Sequence, residues 1–144
     1  MSKRHILSVL AYLLPTFALG FVWHLVLFKG YYESLAIYRT DIIIPLGFAS
    51  MLVQAVLFAW IYDRMFGTAS ASLTSLVFKY AILGALLSWS FTTLAVGAKN
   101  IMNSVPRFLA IESAFTIAQW VMVAPLTVLF SVPRPADGGR SGSL

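Results

Sequence analysis

Residues 105–130 read VPRFLAIESAFTIAQWVMVAPLTVLF, an apolar run carrying only two charged residues, Arg107 near its start and Glu112 inside it. About 20 helical residues cross the hydrocarbon core of a bilayer, so this run is long enough to span one. Three further runs match it, residues 6–28, 42–62 and 73–98, and the four together occupy about two thirds of the 144-residue chain. The pattern predicts an all-α membrane protein, an antiparallel bundle of four transmembrane helices with a short interfacial segment between the first two. A single domain over residues 1–130 is expected, followed by a disordered tail at 131–144.

The composition agrees. Hydrophobic residues make up 60% and charged residues 10%, against about 25% charged in a soluble domain, and the mean hydropathy is +0.86. There is no cysteine, which removes disulfides, thiolate metal sites and cysteine nucleophiles. The net charge of +5 comes from Lys and Arg residues scattered singly at helix ends and in loops. That distribution suits anionic lipid headgroups rather than nucleic acid.

At the N-terminus, Ser2, Lys3, Arg4 and His5 precede the first apolar run in the manner of a secretory signal, with small residues from Ala18 to Gly20. The run continues through Trp23 to Phe28, longer than a signal core, and is read as a retained first helix. Pro15 and Gly20 are expected to loosen or kink it. The aromatic and charged connector 29–41 suits the headgroup level. Asp41 is the expected N-cap of the second helix, with Pro45 in its first turn. The short polar connector 65–72 makes helices two and three expected antiparallel neighbours. Ser104 and Pro106 form the start signal of the fourth. With four crossings the termini share one face. That face gathers Lys3, Arg4, Arg64, Lys79, Arg134 and Arg140 against Lys29, Arg39, Lys99 and Arg107 opposite, which favours cytoplasmic termini.

In lipid, helices associate through small residues and interhelical hydrogen bonds. Each span carries such a stripe at spacings of three or four: Thr16, Gly20 and His24; Gly47, Ser50 and Gln54; Gly84, Ser88 and Thr92; Glu112, Thr116 and Gln119. The glycines and serines are read as packing residues. His24 and Glu112 can ionise, and counting about 1.5 Å per residue places both roughly 6 to 10 Å below the same membrane face. Ser50 and Thr92 fall at a similar level. The candidate intramembrane polar site is therefore Glu112, His24, Ser50, Thr92, Thr116, Gln119 and Gln54. Glu112 should pair with His24, become neutral, or face a watery pocket. A proton- or cation-recognising site and a purely structural pair, with His24 or with Lys99 or Arg107, both remain open at this point. Trp23 and Trp60 are read as interfacial belt residues, and Trp89 and Trp120 as gap fillers rather than a ligand cage.

No catalytic set is legible. His24 lacks a second ligand at metal spacing, the other carboxylates are dispersed, and neither a phosphate loop nor a GxSxG elbow occurs. No enzyme activity, metal or cofactor is expected.

The segments FVWHLVLFKGYYESLAIYR (21–39), IIPLGFASMLVQAVLFAWIY (43–62) and LLSWSFTTLAVGAKN (86–100) resemble a group of small bacterial inner-membrane proteins with four predicted helices and no assigned function. The resemblance covers residues 10–130, leaving out the tail. It implies a multi-pass protein of the bacterial plasma membrane and supplies no site residues. The leading expectation is a non-enzymatic accessory or scaffolding subunit, in a larger membrane complex or as a homo-oligomer, packing through small-residue faces. The alternative is a small proton- or cation-linked transporter or ligand-binding protein using Glu112 and His24. Expected partners are membrane lipids and such protein copies, with no nucleic acid.

Overall fold

A computed structural model describes residues 3–131, so the expected tail lies outside the described residues apart from Ser131. The chain is all-α. Four helices are long and apolar enough to cross a membrane: α1 (Lys3–Leu27), α3 (Ile44–Met65), α4 (Leu73–Lys99) and α5 (Val105–Ser131). A short helix, α2 (Lys29–Leu35), occupies the connector between the first two spans. This is a multi-pass membrane architecture, with each span within a few residues of its expected bounds.

Three findings go against or beyond these expectations: the cap of α3, the widened turns of α1 and α4, and the packing order. α3 begins at Ile44 with no side-chain cap, because Asp41 is held instead by Arg39, whose Nε and Nη2 donate to its two oxygens at 3.0 and 3.1 Å. Pro45 does lie in the first turn. α1 runs as regular α-helix through Pro15 and Gly20 to Val22, then widens into a π turn at Trp23–Leu27. α4 contains a second π turn at Ser90–Leu94. In each case side-chain donors take carbonyls just ahead: His24 bonds Gly20 O at 2.9 Å, Ser90 bonds Leu87 O at 2.8 Å and Thr92 bonds Ser88 O at 2.8 Å. Such back-bonding competes with the regular ladder and accounts for its loosening.

The third correction is to the packing order. α3 packs on α1, α1 on α5, and α5 on α4, whereas α3 and α4, although joined by a short connector, share few contacts. They meet at the connector end. There Tyr80 donates to Phe58 O at 3.1 Å and its ring lies 5.2 Å from Tyr62 and 6.0 Å from Phe66. Toward the opposite face the facing residues are small, Gly47 and Ser50 on α3 and Ser88 and Thr92 on α4, and cavities fill the space between.

Trp120 is the centre of the core. It is 2% exposed, and the rings of Tyr12, Phe58 and Tyr80 lie 5.8, 4.8 and 5.4 Å away. Its indole N–H donates to Ser88 Oγ at 3.1 Å. Gly84 is required for this fit, since a Cβ there would stand 1.9 Å from the indole. At the termini face, His5 lies 2.9 Å from Asp63, and Ser8 shares a buried 2.6 Å hydrogen bond with Ser131. These bonds join the start of α1 to the ends of α3 and α5.

Gly84→Ala is expected to lower the unfolding free energy by about 1–3 kcal/mol through overpacking. The measurement is the melting temperature in neutral detergent, with Gly47→Ala as the comparison because a Cβ there meets nothing within 4 Å. Equal melting temperatures for the two variants would show that Trp120 is not locked against α4.

Candidate functional site

Glu112 sits two turns into α5 and is 6% exposed. A carboxylate at this depth costs at least a few kcal/mol unless it is compensated, and two donors compensate it. Tyr32, on α2, donates to Oε1 at 2.7 Å, and His24 Nε2 lies 3.2 Å from the same oxygen. The His24 ring is sandwiched between the Tyr32 and Phe115 rings, at 4.8 and 4.6 Å.

The hydrogen bonds set the proton inventory. His24 Nδ1 faces the Gly20 carbonyl at 2.9 Å, and a carbonyl can only accept, so Nδ1 carries a hydrogen. A hydrogen bond between Nε2 and Oε1 at 3.2 Å then needs one more proton, on the imidazole or on the carboxyl. Either way the pair is neutral with that proton and carries one negative charge without it. Tyr32 stays the donor: burial, then the nearby Glu112 carboxylate and its hydrogen bond, push the phenol well above its ordinary range. Burial and the same carboxylate raise Tyr38 likewise.

α2 is fixed above the site by the α4–α5 connector. The Asn103 backbone N–H and its side-chain amide donate to the carbonyls of Leu35 and Ser34, each at 2.9 Å, satisfying the helix's C-terminal acceptors. Arg107 lies 4.6 Å from the Tyr31 ring centre and donates to Ser34 Oγ at 3.3 Å. It does not reach Glu112, so the alternative of an interfacial pair with Arg107 is replaced by the one with His24 and Tyr32. Ala36 ends α2 in the left-handed region at φ 55°, turning the chain so that Tyr38 stacks on Tyr32 at 5.0 Å and 13°.

Glu112 also lines a chamber of about 350 Å³ between α3 and α4. Both donors take Oε1, which leaves Oε2 without a hydrogen-bond partner among the described residues, and Glu112 belongs to the chamber's lining. The stripes largely converge here. His24, Ser50, Gln54, Thr92 and Gln119 line the chamber with Glu112, as do Thr16, Gly47 and Ser88. Thr116 is buried behind it, donating to the Glu112 carbonyl at 2.9 Å. Ser50 and Thr92 stand across the chamber and make no hydrogen bond to Glu112.

A relay runs along the chamber's inner wall. Gln119 Nε2 donates to the Tyr12 hydroxyl at 3.1 Å, Tyr12 to Gln54 Oε1 at 3.2 Å, and Gln54 Nε2 to Ser50 Oγ at 3.2 Å. Gln54 and Gln119 therefore have structural partners as well as a chamber face.

Sequence reasoning missed Tyr32, which it placed with the interfacial aromatics. The signal available was spacing: His24, Phe28 and Tyr32 recur at every fourth residue, one helical face continued past the span. Trp23 turns inward rather than joining a belt, its ring 4.5 Å from Phe28 and 5.8 Å from Phe115, while Trp60 is exposed. No protein-family model, curated protein or solved structure matches the chain.

Tyr32→Phe leaves Glu112 Oε1 with one donor and is expected to cost about 1–3 kcal/mol of stability. Tyr38→Phe removes a hydroxyl that makes no hydrogen bond among the described residues and should cost less. Thermal unfolding of the two variants in the same detergent compares them; equal losses would argue against a structural bond at Glu112.

Proposed function

We propose that this is a ligand-binding membrane protein, a small proton-linked cation carrier or receptor, with Glu112 as the recognising group and His24 and Tyr32 as its positioning residues. The observation that carries the reading is the division of the carboxylate. One oxygen is held by two donors, the other has no partner among the described residues, and Glu112 lines a chamber whose described lining contains no Lys or Arg. A site built only to neutralise Glu112 has no need of such a chamber.

The proton inventory supplies the linkage. A cation at Oε2 stabilises the deprotonated pair, so its binding releases the shared proton, and by reciprocity its affinity rises with pH. The titratable groups facing Glu112 are His24 from α1 and Tyr32 and Tyr38 from the connector. The polar groups that α3, α4 and the residue after α4 present are hydroxyls and amides, those of Ser50, Gln54, Ser88, Thr92 and Asn100.

A second reading is an accessory subunit or homo-oligomer. It is supported by the bare outer face of α3, where Leu46, Val53 and Trp60 are exposed. Purification from native membranes in mild detergent tests it, and a solitary monomer counts against it. The resemblance and the balance of basic residues support the bacterial plasma membrane with cytoplasmic termini.

The test of the leading reading uses butylammonium chloride, added to the protein in weakly buffered maltoside micelles. Proton release should accompany binding, and affinity should tighten by up to about tenfold per pH unit while the pair still holds its proton. Glu112→Gln should abolish both. Binding by that variant equal to the parent, or binding without proton release, would sink the reading.

A further inference from the structure

The chamber does not end at its polar wall. It shares Gln54, Ser88 and Thr92 with a second cavity of about 300 Å³ lined by Leu57, Phe58, Ile61, Leu87 and Phe91. This compartment lies deeper along α3 and α4, and its lining is apolar apart from the shared residues. It also opens outward, since Leu57 and Phe91 are 52% and 72% exposed. On a membrane-spanning helix that direction is the bilayer. α3 and α4 are the one consecutive pair of spans that fails to close: Tyr62, Phe66 and Tyr80 meet at the connector end, while Gly47, Ser50, Ser88 and Thr92 leave the gap open at the level of Glu112.

We infer that the ligand is an amphiphile with an ammonium head and an alkyl tail, entering sideways from the bilayer through the gap between α3 and α4. The inference rests on the cation-binding reading of Glu112 and adds the class of substrate and its route. The head lies against Glu112 Oε2, beside the hydroxyls of Ser50 and Thr92. The tail follows α3 from the level of Ser50 toward Ile61, roughly 16 Å along the helix. Polarity falls with depth in the same order as in a lipid leaflet, so such a molecule keeps its orientation as it moves from the bilayer into the cleft. The absence of Lys and Arg from the described lining disfavours a phosphate or carboxylate head. A small soluble cation would leave the apolar compartment without a role.

Radiolabelled hexadecylamine is the probe, with butylamine, hexadecanol and palmitate as competitors, on the full chain in maltoside micelles. Saturable binding of one hexadecylamine per chain is expected, at least about tenfold tighter than butylamine because burial of the tail adds apolar area, and weakly displaced by the alcohol or the acid. Glu112→Gln should weaken it at least about tenfold. Leu57→Trp, which fills the apolar compartment, should shrink the preference for the long amine over the short one. Phe91→Trp serves as the second such variant if Leu57→Trp does not fold. Equal affinities for the two amines, an unchanged preference in a folded compartment variant, or palmitate as strong as hexadecylamine would overturn the amphiphile inference while leaving a soluble-cation site at Glu112. Amine binding indifferent to Glu112→Gln would overturn both.

Discussion

A carboxylate roughly 10 Å below a membrane face needs hydrogen-bond donors, and much of one end of this molecule is organised to supply them to Glu112. The donors come from two different places in the chain. His24 reaches Oε1 from the end of α1, and Tyr32 comes down from α2. For Tyr32 to be there, α2 must fold back over the bundle. Its bonds to Asn103 and Arg107, the left-handed Ala36 and the satellite cluster of Tyr32, Leu35 and Phe108 are the contacts that hold it. For His24 to aim one nitrogen at Glu112 and the other at Gly20, the last turn of α1 widens. The left-handed alanine and the π turns cost backbone stability, and they flank this one group. Such clustering of irregular backbone is the pattern expected where a side-chain constraint outranks the regular helix.

The opposite end is organised by size rather than charge. Tyr12, Phe58, Tyr62, Tyr80 and Trp120 form a contiguous block in which each ring contacts at least one other. In lipid there is no hydrophobic drive between helices, so close packing and the interhelical hydrogen bonds of Tyr80 and Trp120 carry the association. Large rings at one end and glycine, serine and threonine at the other cannot both fill the same gap between straight helices. The cleft between α3 and α4 follows from that mismatch, and it opens beside Glu112.

The spans and the shared depth of His24 and Glu112 were legible because they depend on local quantities, run length and residue counting. Stripe membership was legible for the same reason: periodicity places Thr16, Gln54 and Gln119 on inward faces whatever the neighbours are. The rest depends on choices made in three dimensions. Nothing local says whether Asp41 caps α3 or pairs with Arg39, since both partners lie within reach of one turn. The order of packing is not legible from a short connector, because the connector constrains only the ends it joins. Tyr32 was hidden by its position past the end of a span, where aromatic residues ordinarily lie at the interface. Its phase with His24 was readable, but using it required knowing that the helical path resumes after the π turn.

The two halves of the site make sense together only through charge. On the proposed reading, the His24 and Glu112 pair without its shared proton carries one negative charge at membrane depth, which the Tyr32 hydrogen bond offsets only in part. The same deficit can be relieved from either side of the carboxylate, by a proton at Oε1 or by a cation at Oε2. On the proposed reading, a buried group with two sterically separate ways to be neutralised exchanges one for the other rather than releasing either into an empty state. Tyr32 reinforces this, because its raised ionisation range keeps it a donor through the exchange. In the proposed function, dividing the carboxylate in this way would turn an electrostatic liability into coupling with no change in the fold of the helices that carry it.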